Sequence, residues 1–169
     1  MPYFPLLYRL RGQERFLIWI SDDTDSVAVN AEGLLLSFPS LAILKQHADA
    51  NGWPLEPEEP RRHDLDVIAR WVILDDASVN CVETLNAWNL FSDVANSVSS
   101  PSKKSFEALD SQLGRSVYDK LFWGNNLPAM TPVGEHFVPT WSHQELRYLA
   151  ALLSSGLELF TSSTSEQPL

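Results

Sequence analysis

Ten acidic residues in four short clusters are the side chains in this sequence whose type and spacing could do chemistry. They are Asp22, Asp23 and Asp25; Glu56, Glu58 and Glu59; Asp64 and Asp66; and Asp75 and Asp76. Carboxylates this close together can hold a divalent cation or trade a proton as general acid and base. A calcium loop also needs a glycine at the bend and a distal bidentate Glu. Asp22-Asp23-Thr24-Asp25 has neither. Asp64 and Asp66 suit the start of a helix, where acids meet the positive end of the helix dipole. What remains for these acids is electrostatics.

The other reactive residue types lack partners. His47, His63, His136 and His143 form no pair at metal-ligand spacing, and Cys81 is the only cysteine. His136 and His143, with Glu135, are the nearest to a metal set but are split by Pro139. Cys81 sits near an expected helix N-terminus, where thiol pKa tends to fall. It shares a helix face with Leu85 and Trp88, however, which points to a buried, inert thiol. There is no Gly-x-Ser-x-Gly elbow and no glycine-rich phosphate loop. The residues therefore predict no catalytic centre, no cofactor and no bound metal.

Charge restricts the partners. Residues 20–76 hold 12 of the 22 Asp and Glu but four of the 12 Lys and Arg, so they carry −8 of the net −10. Such a surface repels nucleic acid and anionic lipid and steers basic proteins toward itself. A single cysteine excludes an internal disulfide and suits a reducing compartment. The N-terminus lacks the cationic-then-apolar pattern of a signal peptide. No apolar run reaches the ~18–20 residues a membrane span needs. The expectation is a cytoplasmic domain over residues 1–160 with a disordered tail, 161–169.

The elements that must position the acids follow from periodicity and caps. Tyr3–Leu10 and Phe16–Ile20 read as an antiparallel hairpin around Arg11–Arg15, with a third strand near Val27–Asn30 or Gly33–Ser37. Ser40 caps a helix that Asn51-Gly52 stops. Three prolines within Trp53–Pro60 impose an extended, accessible segment. A helix begins near His63 or Asp64. Asn80 and Glu83 have capping-box spacing for a helix over residues 80–98. That helix carries a polar stripe of Asn86, Asn89, Asp93 and Asn96, an unusual choice for a helix surface. Ser99–Ser105 reads as a mobile breaker, followed by helical pattern over 106–113 and 116–123. Residues 125–140 are irregular. Ser142-x-x-Glu145 opens the last helix, to residue 160. The fold class is α+β: a small N-terminal antiparallel sheet on four to five helices, with Leu85, Trp88, Leu149 and Leu153 in the core.

The strand pair, the Ser40-Leu41 helix start, Asp64-Leu65-Asp66 ahead of Trp71 and the run Cys81-Val82-Glu83-Thr84-Leu85-Asn86-Ala87-Trp88-Asn89-Leu90-Phe91-Ser92-Asp93 together carry a resemblance. In this order they resemble the small acidic immunity proteins of bacterial contact-dependent growth inhibition and related polymorphic toxin systems. The resemblance covers residues 1–98 and transfers no particular binding residue. It implies a cytoplasmic antitoxin, not an enzyme, that neutralises one cognate toxin domain, commonly a basic nuclease. The charge agrees independently. All ten clustered acids are thus candidate partner-binding residues. The alternative is an acidic regulatory or adaptor module binding a basic protein or peptide through its proline- and Trp-bearing segments.

Overall fold

The computed structural model describes residues 1–74 and 78–164, so Asp75 and Asp76 lie outside the described residues. The chain is α+β. Its sheet contains β1 (Tyr3–Leu10), β2 (Gln13–Ile20), β3 (Ser26–Val27) and β4 (Arg61–Asp64), in the order β3-β2-β1-β4. The helices are α1 (Leu41–Ala50), α2 (Leu65–Leu74), α3 (Cys81–Ser97), α4 (Pro101–Glu107), α5 (Gln112–Gly124) and α6 (His143–Ser163).

The hairpin is tighter than expected. Leu10 pairs with Gln13, leaving only Arg11 and Gly12 in the turn, both at positive φ (53° and 72°). That is the backbone of a two-residue hairpin turn, whose twist matches the strands. Asp66 supplies what the turn needs. Its carboxylate accepts from Arg11 N at 2.6 Å and Gly12 N at 2.9 Å, and lies 3.4 Å from Arg9 Nε. Asp66 is therefore a clamp from α2 onto the hairpin, which its position near a helix start does not reveal. Asp66→Ala should cost about 1–3 kcal/mol, because both amides lose a charged acceptor. Chemical denaturation would check this, and an unchanged midpoint would show that water replaces the carboxylate.

One strand departs from the expected antiparallel sheet. Arg61–Asp64 pairs parallel to β1, with Leu6 opposite Arg61 and Tyr8 opposite His63. The long connection through α1 and the proline segment permits a parallel return, and local alternation in Arg-Arg-His-Asp gives no apolar signal for it. The expected third strand shrinks to Ser26–Val27, and 33–38 contributes the isolated bridges Val29–Leu35, Phe16–Phe38 and Leu35–Thr164.

Each face of the sheet builds its own core. Leu6, Tyr8, Leu17 and Trp19 face the helical bundle, where Phe91, Leu121, Leu149, Leu153 and Phe160 are buried. On the opposite face Ile18, Phe38, Leu44 and Ala48 are buried under α1. Trp88 is only half-buried, unlike Leu85, Leu149 and Leu153. It packs at the rim of the bundle, so truncating it costs less than removing a core ring.

The helix boundaries also differ locally. Ser99–Ser105 contains α4 rather than a mobile breaker. Ser100 Oγ accepts from Lys103 N and Pro101 takes the first helical position, where its missing N–H costs nothing. The two helical patterns over 106–113 and 116–123 resolve into the end of α4, a short turn and α5, capped by Ser111. At α3 only half the capping box forms: Asn80 Oδ1 accepts from Glu83 N, while Glu83 Oε2 accepts from Asp64 N at 3.4 Å. The α6 box is complete, and Lys120 Nζ joins it at 2.8 Å from Glu145 Oε1. The helix runs on to Ser163, which is buried, and Thr164 bridges to Leu35, so 161–164 are structured; 165–169 lie outside the described residues.

Candidate functional site

Three of the clustered acids, Asp25, Glu58 and Glu59, meet part of the polar stripe of α3 at one groove of about 640 Å³ between the sheet and α3. Its floor is apolar: Phe4, Leu6 and Trp19 from the sheet and Leu90 from α3. Asn86, Asn89 and Asp93 stand one and two turns apart along the α3 wall. Tyr118 of α5 closes one end. Asp25 forms one rim, and Glu58 and Glu59 form another, beside Arg61 and His63 of β4.

Convergence requires the fold. Asp25 follows β2, while Glu58 and Glu59 end the proline segment, and the parallel return of β4 carries them to the edge of β1. Asn96 Nδ2 donates to Asp25 O at 3.0 Å, which fixes the Asp25 loop against α3. Tyr118 Oη donates to Asn89 Oδ1 at 2.9 Å, and Trp19 Nε1 to an Asp93 carboxylate oxygen at 3.0 Å. Part of the stripe thus holds neighbouring elements, and part of it lines open space.

Asp93 is the electrostatic centre. Burial raises its pKa from 3.8 to about 6; the Trp19 hydrogen bond lowers it in part, and the negative charge of Asp25 adds to the rise. Burial pushes the His63 imidazole the other way, below its ordinary value, so it adds no positive charge near neutral pH. Arg62 also borders the groove but lies 3.1 Å from Glu14. Four carboxylates (Asp25, Glu58, Glu59 and Asp93) therefore share the groove with two guanidiniums, Arg62, paired with Glu14, and Arg61, which has no carboxylate within salt-bridge distance among the described residues. The groove is net negative.

A pH dependence follows. Between 3.8 and about 6 the native Asp93 holds a proton that the unfolded chain has released. Native-state proton uptake makes stability fall as pH rises through that window. Asp93→Asn keeps an acceptor for Trp19 and removes the titration. Relative to this variant, the wild type should lose stability between about pH 4 and about pH 7. Urea midpoints at the two pH values read this directly; a constant difference would mean Asp93 titrates as an exposed acid.

The other candidate acids go elsewhere. Asp22 and Asp23 are exposed on the β2–β3 loop, where Asp22 Oδ1 accepts from Asp23 N at 3.0 Å. Glu56 is exposed, and its backbone N donates to Tyr3 O. Asp64 accepts from Val67 N at 3.3 Å as the first turn of α2 forms, and Asp66 is spent on the hairpin. Sequence reasoning missed Trp19, Tyr118 and Arg61 as parts of the site. Their convergence depends on the parallel β4 and on how α5 crosses α3, neither of which leaves a local signature.

Cys81 is half-buried, and burial pushes its thiol pKa up, away from the reactive thiolate. Among the described residues, no group of three His, Cys, Asp or Glu is close enough to hold a metal ion, and no helix is long and apolar enough to cross a membrane. Comparison with family models, with curated proteins and with solved structures returned no match.

Proposed function

We propose that the chain is a cytoplasmic immunity protein that binds and neutralises one cognate toxin domain of basic, nuclease-type character, and that it acts by binding rather than by turnover. The observation that carries this reading is the convergence of Asp25, Glu58, Glu59 and Asp93 on one groove with an apolar floor. Lys or Arg side chains of a partner would lay their stems on Phe4, Leu6 and Trp19 and place their charges among the carboxylates. Asn86 supplies both donors and acceptors, which suits backbone or amide groups beside those charges. Negative potential around a recessed site also speeds capture of a cationic partner.

The test is co-purification from the native host, together with co-expression beside the product of the adjacent reading frame. One stoichiometric, basic partner whose toxicity is relieved by this chain supports the reading. A neighbouring product that remains toxic and unbound in its presence overturns it.

The adaptor reading has an observation of its own. The segment between α5 and α6 exposes Met130, Val133, Phe137 and Val138, with Glu135 and His136 exposed among them. If Val133→Ser and Phe137→Ser abolish partner capture while groove variants leave it intact, the adaptor reading replaces the first.

A further inference from the structure

A second cavity, of about 610 Å³, opens between α3, α4, α5 and α6, and it differs in chemistry from the groove. Trp88, Tyr118 and Tyr148 line it. The Trp88 and Tyr118 rings pack edge to face, at 88° with centroids 5.2 Å apart. Tyr148 adds a third ring 6.2 Å from Trp88, at 43°. Both phenol hydroxyls are held by fixed acceptors, Tyr118 on Asn89 Oδ1 and Tyr148 on Leu109 O at 2.7 Å. The rings are thereby fixed in place. Gly114 contributes no side chain, and a methyl there would overlap Tyr148 Oη.

Glu107, Asp110 and Asp119 border the same cavity and are exposed to solvent, with Glu107 3.7 Å from Lys103. Arg115 is the one cation among its described lining residues. It lies 3.9 Å from Asp110, with both side chains about two-thirds or more exposed, so the pairing is weak. Burial raises the Tyr148 pKa; the Ser111 hydrogen bond lowers it in part, and the negative charge of Asp110 adds to the rise.

Aromatic faces carry negative charge and attract weakly hydrated cations, while the carboxylates at the mouth repel anions. A neutral apolar ligand would gain from the rings alone. We infer that this cavity binds an alkylammonium group, the head of a small amine or the side-chain end of a lysine. The inference does not rest on the neutraliser reading: this cavity shares Ser92 and Tyr118 with the groove but is otherwise lined by different residues, and it is tested without any toxin.

The test follows Trp indole N–H signals by NMR, with Trp88 assigned through Trp88→Phe, during titration with choline, its uncharged isostere 3,3-dimethylbutanol and N-acetyl-lysine methylamide. Choline or the lysine amide should shift the Trp88 signal saturably, and the isostere should bind roughly tenfold more weakly. Tyr118→Phe should retain binding and Tyr118→Leu should lose most of it. Asp110→Asn with Asp119→Asn, both exposed, should weaken choline several-fold. Tighter binding of choline assigns a small quaternary amine, and tighter binding of the lysine amide assigns a protein side chain. Equal binding of choline and the isostere, or no shift with any ammonium probe at tens of millimolar, overturns the inference.

Discussion

Phe91→Ala is expected to lower the free energy of unfolding by about 3–5 kcal/mol, the loss typical of a large ring removed from a packed core. Phe91 is fully buried where α3 meets α6, with Phe106 at 6.4 Å and Phe160 at 6.5 Å between ring centroids. Its ring lies directly on Gly156, and a Cβ at that position would overlap it. The glycine is therefore present for space, although it weakens the helix by about 1 kcal/mol relative to Ala. Gly156→Ala should nevertheless destabilise by about 1–3 kcal/mol, because overpacking outweighs the propensity gain. Phe91→Leu combined with Gly156→Ala should cost clearly less than the sum of the two single changes, since the smaller side chain makes room for the methyl. Denaturant titration of the four proteins measures this coupling. Strict additivity would mean that α3 and α6 separate slightly instead of interlocking.

Much of this architecture is written in local patterns. Ser40, Asn80 and Ser142 cap helices where their spacing to the first apolar residues predicts, and Leu149 and Leu153 recur at helical period into the core. The hairpin strands show as aromatic and β-branched runs. What stays hidden is non-local. Arg61–Asp64 becomes a strand because β1 offers an open edge there, not because Arg-Arg-His-Asp has strand character. Asp66 looks like an ordinary first-turn acid until a hairpin 54 residues away in sequence donates two amides to it. Ser99–Ser105 carries breaker composition, yet Ser-Pro at its centre is also a helix start, and burial of Phe106 settles the choice.

The site divides in the same way. Its ingredients are legible one by one: the Asp22–Asp25 and Glu56–Glu59 clusters by composition, and the Asn86, Asn89 and Asp93 stripe by helical period. Their union is not, because it depends on a parallel crossover and on the angle between α3 and the sheet. Local reading overcounts acids for this reason. It cannot separate Asp25 and Asp93, which share a groove, from Asp66, whose charge is already engaged by two amides and Arg9.

The largest functional effect is expected from neutralising the groove. A variant with Asp25→Asn, Glu58→Gln, Glu59→Gln and Asp93→Asn should bind the proposed toxin partner with an association rate at least about tenfold slower at low salt. Its rate should also depend less on salt, because screening acts over about 8–10 Å and leaves short-range contacts largely intact. The matched control removes equal charge elsewhere: Asp22→Asn, Asp23→Asn, Asp49→Asn and Glu56→Gln. If net charge alone steers the partner, the two variants will slow equally and the groove is not the site. If the groove is the site, the control should retain most of the rate, and only the groove variant should also dissociate faster. Asp93 carries that second effect, since truncating a desolvated charge opposite a cation costs about 2–5 kcal/mol. Its raised pKa supplies an independent mark of contact. A cation seated between Asp93 and Asp25 relieves the burial cost and the repulsion that hold the proton, so complex formation near pH 6 should release protons to the buffer. Calorimetry in buffers of different ionisation enthalpy reads that release, and its persistence in Asp93→Asn would place the titrating group elsewhere.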